Sequence, residues 1–133
     1  MRIAGHRITR FQFARDRVIG DSQVRTDAVN VAALELVSDG GLVGLGFMQA
    51  LFHPLPSQRE IVRTFEEEAW PTLAGQSPMA LIHRVNRPRG GNQRAFTLPF
   101  HEAIQVALWD LAAKQAGLPL HAFLGGQIGR AHV

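Results

Sequence analysis

Histidine, carboxylate and arginine side chains are the groups of this 133-residue chain with chemistry to offer, and their spacing decides which chemistry is open. Five of the six histidines, His6, His53, His83, His101 and His121, never fall at metal-ligand intervals from one another. Glu66, Glu67 and Glu68 are consecutive, and three consecutive carboxylates on a helix cannot all face one ligand. No carboxylate pair is placed for acid and base roles. The absence of cysteine removes disulfides, thiolate metal sites and thiol nucleophiles together. A serine nucleophile would need an elbow that is missing, and Gly40-Gly41 joins two strand-like runs with no lysine after it, so it is no phosphate loop. The chain alone presents no assembled active site: no catalytic residue and no metal ligand is expected in it.

Arginine is the exception to this sparseness. The chain has 14 Lys and Arg, all arginine but for Lys114, against 11 acidic residues, for a net charge of +3 and a sequence pI of about 11. Arg2, Arg7, Arg10, Arg15, Arg17 and Arg25 share the first 25 positions with only Asp16 and Asp21, and Arg84, Arg87, Arg89 and Arg94 form a second group without an acid. Such groups suit a phosphate groove, contacts to carboxylate ligands, or a solvated surface in a chain that uses arginine for lysine throughout.

The elements that must position these groups segregate, strands first and helices after, which predicts an α+β fold rather than alternating βαβ units. β-branched and aromatic residues mark a strand from Ile3 to Phe13. Ala14 to Thr26 (ARDRVIGDSQVRT) is charged and poor in apolar residues, and reads as a long loop. Asp27 to Ser38 is apolar on both faces, as in a central strand. Asp39-Gly40-Gly41 supplies a hairpin turn, and Leu42 to Met48 a third strand. Gly44 and Gly46 share one face of that strand, leaving it open to the close approach of another backbone or of a ligand.

After the Pro-bearing loop Gln49 to Pro56 the period changes. Ser57 with Glu60 is a capping box, followed by Ile61, Phe65 and Ala69 at four-residue spacing. Pro71 ends or kinks this helix before Gly75. Ser77-Pro78 opens a short helix to about Asn86, and Arg87 to Arg94 is loop. The strongest helix runs from about Leu98 to Ala116, with Ile104, Ala107, Leu108, Leu111 and Ala112 on its core face and Gly117 as its stop. Pro119 restarts one turn, closed by Gly125-Gly126.

The stretch ALWDLAAKQAGLPLHAFLGG, from Ala107 to Gly126, resembles the segment that ends the N-terminal capping domain in the mandelate racemase and muconate-lactonizing branch of the enolase superfamily. The upstream order resembles it as well, with the hairpin VSDGGLVGLGF, a Pro-bearing loop and helices, so the resemblance covers residues 1 to about 127. The motif also has a purely structural account. Ala107 and Ala112 permit close packing, Asp110 and Lys114 pair at i,i+4, Trp109 is an apolar anchor, and none of them needs a catalytic role. The resemblance implies a three-stranded antiparallel meander followed by a helical bundle. It also implies a missing C-terminal barrel that carries Mg²⁺ and the acid/base residues, where a base removes the proton α to a substrate carboxylate. What this chain would supply is two lid loops, Ala14 to Thr26 and Phe47 to Pro56, with Arg17, Asp21, Gln23, Arg25, Gln49 and His53 as the side chains suited to grip a hydroxylated carboxylate. Many relatives carry an acidic residue where this chain has Phe47; the form GLGFM looks more like the acid-sugar dehydratases of the branch than its racemases or cycloisomerases.

The length fits one domain, and no apolar run or signal-type N-terminus is present, so a cytoplasmic chain is expected. The expected partners are the barrel and a small carboxylate or acid sugar, in a homo-oligomeric parent; neither nucleic acid nor membrane is. Ile128 to Val133 can be back-translated as ATC GGA AGA GCA CAC GTC, which resembles the start of a common short-read sequencing adapter, so these six residues are expected to be a non-native tail. Two readings from other classes compete: a small basic nucleic-acid-binding domain, whose affinity would fall steeply with salt, and a stand-alone interaction module.

Overall fold

The computed structural model describes residues 1–20, 25–50, 55–82 and 96–125, with backbone only at 15–20, 25–27 and 50. Three strands, β1 (Ile3–Gly20), β2 (Arg25–Ser38) and β3 (Val43–Ala50), form an antiparallel sheet in the order β1-β2-β3. Alternation sends Ile8, Ala32, Leu34, Leu36 and Met48 to the buried face, while Phe11, Phe13, Leu45 and Phe47 lie on the exposed one. At the β2–β3 turn Gly41 takes a φ of 89°, and the Ser38 hydroxyl accepts from the Leu42 amide at 2.9 Å.

The strands exceed the sequence reading at both of the expected loops. Most of Ala14 to Thr26 is strand, since β1 and β2 continue their pairing to Gly20 and Arg25. Polarity misleads here because a hairpin that projects beyond a core has no apolar face to declare. A register shift between Ala14 and Ile19 sets residues 15–18 of β1 against the single position 27 of β2, a bulged insertion of the kind that re-aims a strand end. Likewise β3, which includes Phe47 as the strand reading Leu42 to Met48 expects, runs on to Ala50, so Gln49 is a strand residue rather than loop.

Five helices follow among the described residues: α1 (Gln58–Glu68), α2 (Trp70–Leu73), α3 (Pro78–Leu81), α4 (Phe100–Gln115) and α5 (Leu120–Phe123). Ser57 caps α1 through the Glu60 amide at 3.3 Å, as the capping box predicts. Pro71 begins a separate turn after α1 has ended. α4 starts at Phe100, two residues later than its apolar period suggests, with Pro99 at its N-cap. Gly117, at φ 70°, closes it while Leu118 N–H reaches back to Ala113 C=O at 3.0 Å. The extension of α3 to Asn86, the loop Arg87 to Arg94 with its arginines, and the tail 128–133 lie outside the described residues. No helix among the described residues is long and apolar enough to cross a membrane.

The core lies between sheet and helices. Phe65, Phe100, Ile61, Leu73, Ile104, Leu108 and Leu111 are all buried, joined by Leu36 and Ile3 from the sheet. α4 lies against β3 so closely that a Cβ at Gly44 would overlap the carbonyl oxygen of Ala107, and one at Gly46 that of Ala103. The open face of β3 therefore receives a helix backbone, not a ligand. Both sheet edges are closed by side chains. On β3, Asp110 accepts from Leu45 N–H at 2.9 Å and Lys114 donates to Val43 C=O at 2.6 Å, while the two pair with each other at 3.1 Å. On β1, Gln58 donates to Ile8 C=O and accepts from Arg10 N–H at 2.7 Å.

Candidate functional site

The projecting hairpin and the end of β3 lie at the same end of the sheet. Ala50 pairs with Asn30, which also pairs with Gln12 of β1, and the hairpin continues past that level to Gly20 and Arg25. α1 begins close by, because Gln58 is hydrogen-bonded to β1 beside Arg10. The hairpin strands, the end of β3 and the start of α1 thus meet at one end of the sheet, a common placement for binding residues.

Of the six candidate residues, Arg17 lies within β1 and Arg25 opens β2 opposite Gly20, both placed by backbone alone. Gln49 pairs with Val31 and is exposed. Asp21, Gln23 and His53 lie outside the described residues. Gln49 and Phe47 share the outer face of β3, turned away from the helices; Phe47 is 53% exposed.

A polar cluster that the sequence reading missed underlies this end. Arg10, on an inward position two residues after buried Ile8, donates through Nη2 to Asn30 Oδ1 at 3.1 Å and to Leu55 C=O at 3.3 Å. Gln12 Oε1 stands 3.4 Å from Arg10 Nη1. Asn30 is itself buried. The available signal was a polar residue at an inward position of an otherwise apolar alternation, Arg10 after Ile8 and Asn30 before Ala32.

Other ionisable groups have structural surroundings. His6 packs on Trp70 and Phe65 with ring centroids 4.5 and 5.1 Å away, and its Nε2 is 3.5 Å from Glu66. His101 stacks on Phe96 at 4.4 Å, and burial pushes its imidazole below the ordinary value. Glu67 pairs with Arg63 at 3.2 Å, and Glu68 receives the Thr97 amide and hydroxyl. The three glutamates thus have three separate partners. Among the described residues no group of three His, Asp or Glu could hold a metal ion, so a Mg²⁺ site does not fit this part of the chain.

A bulged three-stranded antiparallel meander backed by helices defines an α+β domain. The sequence profile of the mandelate racemase / muconate lactonizing enzyme N-terminal domain matches residues 22–125, and the chain belongs to that family. A crystal structure of a Mesorhizobium loti protein, provisionally assigned as a mandelate racemase, superposes with a TM-score of 0.81 at 68% identity, covering 94% of this chain and 32% of that one. A D-galactonate dehydratase family member, RspA of Halomonas elongata, is 32% identical over 101 residues, which is 74% of this chain and 24% of the relative. D-mannonate dehydratase of Novosphingobium aromaticivorans is 30% identical over 101 residues, with the same coverage. The chain spans about a quarter of the length of these curated relatives.

Proposed function

We propose that this chain is the substrate-capping domain of an enzyme that abstracts the proton α to a carboxylate, and that the parent is an acid-sugar dehydratase. The observation that carries the reading is the likeness to D-galactonate and D-mannonate dehydratase-type proteins over three quarters of the chain. The geometry supports it: the bulged hairpin and the end of β3 converge at one end of a rigid sheet. Arg17 and Arg25 on the hairpin bind the carboxylate, and Asp21, Gln23, Gln49 and His53 accept or donate hydrogen bonds to hydroxyls. Their work is to select, orient and desolvate the substrate. Mg²⁺ and the base belong to a C-terminal barrel in this reading, the metal stabilising the enolate. The parent is taken as a cytoplasmic homo-oligomer.

Racemisation is the second reading, favoured by the 68% identity to the Mesorhizobium loti protein. The two share proton abstraction and part afterwards, one expelling a β-hydroxyl and the other returning a proton. Joining this domain to the barrel of that relative and incubating with aldonates and aldarates separates them. A keto acid formed by loss of water supports dehydration. Exchange of the α-proton in heavy water with no keto acid supports racemisation, and neither process on any acid sugar overturns the proposal.

A further inference from the structure

Among the described residues, Arg10 carries a charge with no counter-charge beside it. It takes part in none of the ion pairs among the described residues, and each of its acceptors, Asn30 Oδ1, Leu55 C=O and Gln12 Oε1, is neutral. Its Nε is buried without a partner. Holding a guanidinium partly out of water on neutral acceptors is unfavourable compared with an apolar side chain in the same place. What the group provides instead is geometry. A planar fork of several donors can bond two chain segments at once, which a lysine ammonium on a flexible stem does less well.

The segments it joins meet at the end of the sheet already described. Asn30, on the central strand, pairs with the last residue of β3, Ala50. Leu55 is buried and lies three residues before α1, whose first residue, Gln58, is fixed to the backbone of Arg10 itself. Arg10 is therefore the point at which β1, β2 and the start of α1 are held in mutual register.

We infer that Arg10 is a positioning residue: it fixes the approach to α1 against the base of the β1–β2 hairpin, and so sets the substrate preference of the capping end without touching the substrate. The functional half of this rests on the capping reading; the structural half does not. Hydrogen exchange on the full chain tests the structural half with Arg10→Met and Arg10→Lys. Both substitutions should speed exchange of the amides of residues 57–65 by about tenfold, the size expected for loss of one charged hydrogen bond. Amides of residues 103–113 in α4 should keep their wild-type rates. Equal acceleration in both regions, or in neither, overturns the inference, as does wild-type behaviour of Arg10→Lys. If Arg10→Met does not fold, Arg10→Lys, which keeps the stem and the charge, decides the matter. In the joined enzyme both substitutions should raise KM several-fold with kcat within about twofold; an equal fall in kcat at unchanged KM contradicts a positioning role. An inactive wild-type joined enzyme sinks the capping reading alone, because the exchange result still stands.

Discussion

Single side chains fix the closest contacts of this domain. Gly46 faces the backbone of Ala103, which cannot withdraw without moving α4. Gly46→Ala should therefore cost about 3 kcal/mol, the upper end of the range for overpacked cores, read as a lower urea midpoint at unchanged slope; a change below about 0.5 kcal/mol would show that α4 is free to shift. His101 offers a pH handle. Both ring nitrogens are buried without hydrogen-bond partners, and burial lowers the imidazole pKa from 6.5. The unfolded chain then binds the proton more tightly than the folded one. The stabilisation from the neutral ring is complete above pH 6.5 and lost as the pH falls from there toward the lower folded value. Melting temperatures of wild type and His101→Leu, followed between about pH 5 and 8, should differ by a constant at the alkaline end, with the wild type losing ground only below about 6.5. A difference that ignores pH contradicts this account. Arg10 shows the limit of sequence reading at this scale: its inward position after Ile8 was the available signal, but its partners Asn30 and Leu55 lie 20 and 45 residues away and no local spacing points to them.

Elements were legible where burial wrote a period into the chain. The five core positions named for α4 are all buried, and the hairpin at Asp39-Gly40-Gly41 falls where its turn residues place it. Legibility ended at the outer reach of β1 and β2, which carries polar residues on a backbone that still pairs, and at the end of β3, where Gln49 and Ala50 pair beyond buried Met48. For the same reason Arg17, Arg25 and Gln49, read as loop residues, lie on strands. The Asp110–Lys114 pair was readable as an i,i+4 interaction; its second task, closing the β3 edge, depends on a tertiary contact no local spacing encodes. Asp110 presents an acceptor to Leu45 N–H and Lys114 a donor to Val43 C=O two residues away, matching the spacing of outward peptide groups along an edge strand. Asp110→Ala should cost about 1–2 kcal/mol. Lys114→Met should cost under about 1 kcal/mol, since the ammonium is half exposed and water can replace it at the carbonyl. Denaturant titrations in which the lysine variant is the less stable would reverse this assignment.

At the scale of the whole molecule, one sheet face is packed on helices and the other is apolar and open, with Phe11, Phe13 and Phe47 exposed by 41, 57 and 53%. The described residues assemble no metal site, while the chain covers only about a quarter of its dehydratase relatives. In the proposed reading the chemistry lies in another part of a larger enzyme, and this domain contributes selection. Selection is what should be measured. The domain is exchanged for its counterpart in the Halomonas elongata relative, and kcat/KM is determined for a panel of aldonates and aldarates before and after the exchange. The preference order should move with the transplanted domain, and the 133-residue chain alone should turn over none of the panel. An unchanged order of preference, or dehydration by the isolated chain, would contradict the account.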